Sequence, residues 1–245
     1  MAEISGNGVA GLRAERADAP AERADAPDAA APVNVAAPVT GYSLVLPPGW
    51  RRIPVQHGTK AAIRGIVDEV LRRYPKDMPR DKMTHYRIEI ERHLSDLARR
   101  ARSSGGVDLY LPIEYVHGVT ITASFVVSQV TLPVPDTVTD EQVATGSAEL
   151  VAYLTSAEGN ASPVSVAGGP AARTESVAPA DPGQQMAFGS RRVDYVIPLP
   201  GHPTRWMLAA FSTIGDGDPA GQFAKLLVEL FDAVMMTFRW NQGAQ

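Results

Sequence analysis

Near the C-terminal end the apolar side chains Phe223, Leu226, Leu227, Leu230, Phe231, Val234, Met235 and Phe238 recur at spacings of three and four. That period gathers them into one broad stripe along an α-helix. Asp218 and Pro219 ahead of the stripe read as an N-cap and a first-turn proline, and Leu230, flanked by Leu226, Leu227 and Val234, is expected to be fully buried. A stripe so wide and so rich in aromatic and branched groups must lie on a large apolar surface, since every Å² removed from water contributes about 25 cal/mol. The rest of the chain therefore has to build that surface.

Alternation supplies it. Val119, Ile121, Ala123, Phe125 and Val127 interleave with Thr120, Thr122, Ser124 and Val126, the period of a strand with one buried face. Val107 to Val116 reads as a preceding strand, with Gly118 in the turn of a hairpin. Ser162 to Val177 reads as two short strands around Gly168-Gly169. Arg191 to Leu199 and Arg205 to Thr213 form two more, joined by Pro200-Gly201-His202-Pro203. At the front, Tyr42 to Leu46 is a short β-favouring run that Pro47-Pro48-Gly49 stops before Trp50. Ile63, Ile66, Val67, Val70, Leu71 and Tyr74 mark an amphipathic helix from about Thr59 to Tyr74, closed by Pro75. Met83, Tyr86, Ile90, Leu94, Leu97 and Ala101 mark a longer helix ending at Ser103 to Gly106, and the two are expected to form a hairpin after the first strand. Thr139 with Asp140, Glu141 and Gln142 opens a further helix to about Leu154. Turns of hairpin length between strands argue an α+β fold, an antiparallel sheet packed between helices.

Residues 1–40 are different in kind. They contain almost no large apolar side chains, and AERADAP occurs in tandem at Ala14 to Pro20 and Ala21 to Pro27. Such a segment buries too little to offset its ordering entropy, so it is expected to be a disordered Ala/Pro-rich acidic tail ahead of a single α+β domain over 41–245. Its three arginines stand against six acids, so most of the net charge of −4 sits there and the body is nearly neutral. That balance gives no global reason to bind nucleic acid or an anionic membrane. Zero cysteines exclude disulfides, thiolate metal sites, iron–sulfur clusters and a cysteine nucleophile together. With no apolar run of spanning length and no cationic start before an apolar core, we expect a cytoplasmic chain without membrane insertion.

Three stretches carry a resemblance: Gly41-Tyr-Ser-Leu-Val-Leu-Pro-Pro-Gly-Trp50; Tyr195-Val-Ile-Pro-Leu-Pro-Gly201 leading into Trp206-Met-Leu-Ala-Ala-Phe-Ser-Thr213; and Leu230-Phe-Asp-Ala-Val-Met-Met-Thr-Phe-Arg-Trp240. Together they resemble the PsbP/Mog1-like fold as it occurs in proteins of high-GC bacteria. The resemblance spans 41–240 and implies a sheet between helices that lacks an active site and serves in binding or assembly.

The search for chemistry agrees in direction. There is no Gly-x-Ser-x-Gly elbow, His-Glu-x-x-His, Walker A loop or Gly-x-Gly-x-x-Gly opening a helix. His85, Glu89 and His93 follow one another at four-residue steps, but the histidines stand about 12 Å apart along the axis, so a solvated flank outweighs a metal or pH-sensing site. Gly215-Asp-Gly-Asp218 reads as turn and cap, because its aspartates would repel a phosphate. The arginine pairs at 51/52, 72/73, 99/100 and 191/192 are scattered over several elements. We therefore expect no catalytic residues, no cofactor and no metal. The expected role is a non-catalytic interaction or accessory domain of a larger assembly, with another protein as partner and a small-ligand carrier as the alternative. The partner-binding residues are expected on the outer face of the helical pair, at Arg87, Glu91, Arg92, Ser95 and Arg99.

Overall fold

Hairpin turns fix the neighbours of most strands before any packing is considered. In the computed structural model, which describes residues 38–74, 79–114, 121–131, 151, 161–178, 189–202 and 204–243, Trp50 N–H donates to the Pro47 carbonyl and Gly49 sits at φ +78°. That is a type II turn with Pro48 and Gly49 at its centre. It separates β1 (Val39–Ser43) from β2 (Trp50–Pro54). Ala167 and Gly168, both at positive φ, form the two-residue loop favoured between right-twisted strands, here β5 (Ala161–Val166) and β6 (Gly169–Ala178). The remaining strands are β3 (Gly106–Pro112), β4 (Ala123–Thr131), β7 (Ser190–Pro198), β8 (Arg205–Thr213) and β9 (Arg239–Gln242). Seven of them form an antiparallel sheet in the order β2-β3-β4-β8-β7-β6-β5, and β1 pairs with β9 in a two-stranded sheet.

The helices cover both faces of the large sheet. Tyr110, Phe125, Val127, Val193, Tyr195, Ile197, Met207, Ala209 and Phe211 point to one face. There they meet Leu227, Val228, Phe231, Val234 and Met235 of α3 (Gln222–Met236). The alternate residues turn the other way. At the β2 end, Ile53, Leu109, Leu111 and Val126 receive α1 (Thr59–Leu71) and α2 (Arg80–Ser103) through Ile63, Ile66, Val67, Leu94, Ala98 and Ala101. Further along the same face, Val130, Ala172, Val196 and Trp206 pack with Val151. The fold is α+β, an antiparallel sheet between helices.

Several expectations need correction. The helical pair follows the second strand rather than the first, because the Pro47–Trp50 turn returns the chain into β2. The paired backbone reaches in front of Gly41: Val39 already pairs with Gln242 of β9, a strand that the sequence pattern does not reveal. Helix α3 starts at Gln222, not beside Asp218, whose carboxylate accepts Ala220 N–H and whose carbonyl accepts Gly221 N–H, closing a separate turn. Leu230 is half-buried and Leu226 is 49% exposed, while Ala224 and Val228 are buried. The inward face of α3 is thus rotated away from the centre of the stripe. The acidic tail over 1–37 and the helix expected from Thr139 to Leu154 lie outside the described residues, except for Val151, which is helical and buried.

Candidate functional site

The most chemically distinctive cluster begins with an acid inside a strand. Asp108 of β3 has no exposed surface. It shares a face with Tyr110, while Leu109 and Leu111 pack on the opposite one. Its carboxylate accepts a hydrogen bond from the Tyr42 hydroxyl and one at 2.7 Å from Nε of Arg52. With the Tyr42 proton committed to Asp108, the Tyr110 hydroxyl donates to Tyr42 across 2.8 Å. Tyr42 stacks on Phe238 and Tyr110 on Phe125. Burial pushes the Tyr110 phenol up to about 12. Tyr42 is driven well above the ordinary tyrosine value, first by burial and then by Tyr110 and Asp108. Phenols held this way are neutral donors, not nucleophiles. The relay ties β1 to β2 and β3, and its chemistry is that of a lock.

A second cluster fastens α3 to the far side of the sheet. Arg173 of β6 donates to both oxygens of Asp232 on α3, at 3.0 and 2.9 Å, and to Glu175 at 2.8 Å. Glu175 also takes Arg191 of β7, and Tyr195 donates to Asp232 at 2.8 Å. Burial works to raise Glu175, but the guanidinium groups of Arg173 and Arg191 outweigh it and hold the carboxylate below its usual range. A third cluster binds α1 to the β2 edge: Arg51 and Arg73 both grip Glu69, and Arg73 reaches Glu114 at 2.6 Å. Hydrogen bonding to Arg51 leads in holding Glu69 below the usual carboxylate range. The arginine pairs that look scattered in sequence thus serve largely as ties between elements.

The expected partner-binding residues divide into two groups. Arg87 turns toward α1, where it pairs with Asp68 at 2.8 Å and lies 3.9 Å from Glu91. Arg87 is thus engaged with the neighbouring helix, and Glu91 lies beside it on α2. Arg92, Ser95 and Arg99 do fall together on the outward side of α2, on a row that also takes in Ile88 and Arg102. Ile88 is 59% exposed and the Arg99 side chain 76% exposed. Arg99 pairs with Asp96 at 3.0 Å. Arg92 and Arg102 are exposed and have no side-chain partner among the described residues.

His85 and Glu89 pair at 3.2 Å in solvent, and among the described residues no three His, Asp or Glu side chains gather to hold an ion. In the Gly215–Asp218 loop, Gly215 N–H is taken by Thr213 Oγ1 and Gly217 N–H by the Ile214 carbonyl, so these donors turn inward. No helix among the described residues is long and apolar enough to cross a membrane.

The two tyrosine–aspartate clusters escaped the sequence reading. A signal for one existed: Asp108 interrupts the apolar run Val107 to Leu111 in phase with Tyr110, and an acid on the inward face of a strand needs partners. No comparable signal joins Arg173 to Asp232, which lie 59 residues apart.

No protein-family model matches the chain, and no curated protein matches it. Among solved structures, a protein of Bacteroides thetaiotaomicron VPI-5482 matches with a TM-score of 0.40 at 10% identity, over 85% of this chain. The match spans 48% of that protein's length.

Proposed function

We propose that the protein is a non-catalytic interaction or accessory domain of a larger assembly, and that it meets another protein through the outer face of α2. The observation that carries this reading is the row of exposed Ile88, Arg92, Arg99 and Arg102, with half-buried Ser95 among them, on a helix whose opposite side is packed on the sheet. Elsewhere the chain sets Arg51, Arg52, Arg73, Arg173 and Arg191 against acids of its own. An apolar side chain beside unpaired guanidinium groups is the mixture that interfaces favour, with arginine enriched among their contacts. The PsbP/Mog1-like resemblance of residues 41–240 supports the same class of role.

The test is a triple reversal, Arg92→Glu with Arg99→Glu and Arg102→Glu. Because these side chains touch no core, the melting midpoint should stay within about 2 °C of the parent. Recovery of a stoichiometric partner from native lysate should be lost. Recovery equal to the parent's would place the interface elsewhere. A parent chain that recovers no stoichiometric partner at several salt concentrations, and is monodisperse alone, would contradict the role itself.

A further inference from the structure

The chemistry of the partner can be narrowed, on the basis of the docking reading above. We propose that the row on α2 receives an acidic segment of another protein, with carboxylates set against Arg92, Arg99 and Arg102 and an apolar side chain against Ile88.

The charge pattern favours this occupant. From Arg92 to Ser103 the helix carries four arginines against one aspartate, although the whole chain is acidic by four charges. At 1.5 Å rise per residue, Arg92 and Arg99 stand about 10.5 Å apart and Arg99 and Arg102 about 4.5 Å apart along the axis. Planar guanidinium groups at such fixed intervals suit bidentate capture of carboxylates on one regular segment. Arg99 shares its guanidinium with Asp96 of the same helix at 3.0 Å, so an incoming carboxylate there joins an existing pair, while Arg92 and Arg102 offer both edges of the fork.

Other occupants fit less well. A second copy docking α2 on α2 in antiparallel fashion, centred between Ser95 and Asp96, would set Arg92 against Arg99, and a parallel pairing would set each arginine near its own copy. Both arrangements place like charges together. A nucleic acid strand would meet Glu89 and Asp96 beside the row, and the nearly neutral body adds no wider basic surface. Ile88, 59% exposed, offers an apolar contact that a phosphate backbone does not use.

The test uses the full chain and defined probes in a fluorescence anisotropy titration at physiological salt. The probe is a synthetic helical peptide with glutamates at i, i+7 and i+10 and a leucine four residues before the first glutamate. It is compared with a scrambled peptide of the same composition, a single-stranded oligonucleotide of equal charge and phosphatidylserine vesicles. The ordered peptide should bind about tenfold more tightly than the scramble. The triple reversal at Arg92, Arg99 and Arg102 should lose at least about tenfold, while control reversals on other elements, Arg64→Glu of α1 with Arg205→Glu of β8, both exposed, should retain the parent's affinity. Equal affinity for peptide and scramble, or tighter capture of oligonucleotide or vesicles that the triple reversal abolishes, would overturn the proposal. If the peptide fails but the triple reversal still loses the lysate partner, the acidic chemistry falls and the docking face stands. If the lysate partner is unaffected, the docking face falls.

Discussion

Removing the Asp108 carboxylate leaves the Tyr42 hydroxyl without its acceptor inside the sheet and Arg52 without its anchor. Arg52 is half-exposed and can turn to water, whereas Tyr42 is wedged against Phe238. Asp108→Ala is therefore expected to cost about 2–4 kcal/mol in urea unfolding, and Asp108→Asn, which keeps an oxygen acceptor, clearly less. The phenols add a pH dependence whose sign is fixed. Tyr42, Tyr110 and Tyr195 all hold their protons above the ordinary value, Tyr110 to about 12. The unfolded chain releases them near pH 10, so their contribution is complete below about pH 10 and declines as pH rises above it, that of Tyr110 being gone once pH passes about 12. The urea midpoint should fall between pH 8 and pH 11, and phenolate absorbance should show three tyrosines lagging behind the exposed ones. Gly106 is constrained differently: a Cβ there would come within 2.6 Å of the Ala101 carbonyl, which is backbone and cannot yield. Gly106→Ala should lower the melting temperature by opening the α2–β3 corner.

At the scale of elements, the periods in the sequence located every described helix and six of the seven strands of the large sheet, because each buries a face against the layer beside it; β2, five residues long directly after the Pro47–Trp50 turn, went unread. What they could not locate was rotation. The stripe of α3 is wide enough to be centred on Leu230, but the aromatic shelf of Phe125, Phe211 and Tyr195 meets Phe231 and turns the helix so that Leu230 sits at the rim. Phe231→Ala should thus cost about 3–5 kcal/mol, and Leu230→Ala about 1 kcal/mol, as partial burial implies. Comparable losses at both positions would show that α3 docks on the face the sequence alone suggests. Strand β9 went unread because Arg239–Gln242 is four residues long and mostly exposed. Its partner β1 lies almost two hundred residues away, and no local pattern records so distant a pairing. The candidate face on α2 was half legible. Helical period placed Arg92, Ser95 and Arg99 together, but it could not say which edge of α2 would meet α1, and that contact engages Arg87, with Glu91 beside it.

Over the whole molecule, charge is used in two ways: acids and arginines tie layers together inside, and a row of arginines stays open outside. The inner use can be measured at Arg173 and Asp232, where β6 meets α3. A double-mutant cycle with Arg173→Ala and Asp232→Ala should give a coupling of about 1–3 kcal/mol, and a coupling near zero would make the pair a passive surface contact. The outer use is the claim on which the functional account rests, and the absence of cysteine from the chain makes it directly measurable. Ile88→Cys creates a single thiol on the exposed row, and Asp216→Cys creates one on an exposed turn before α3. Each is labelled with a photoactivatable crosslinker and irradiated in native lysate. The account predicts a discrete crosslinked product from position 88 that is missing from position 216 and disappears when Arg92, Arg99 and Arg102 are reversed to glutamate. The same product from both positions, or none from position 88, would contradict it.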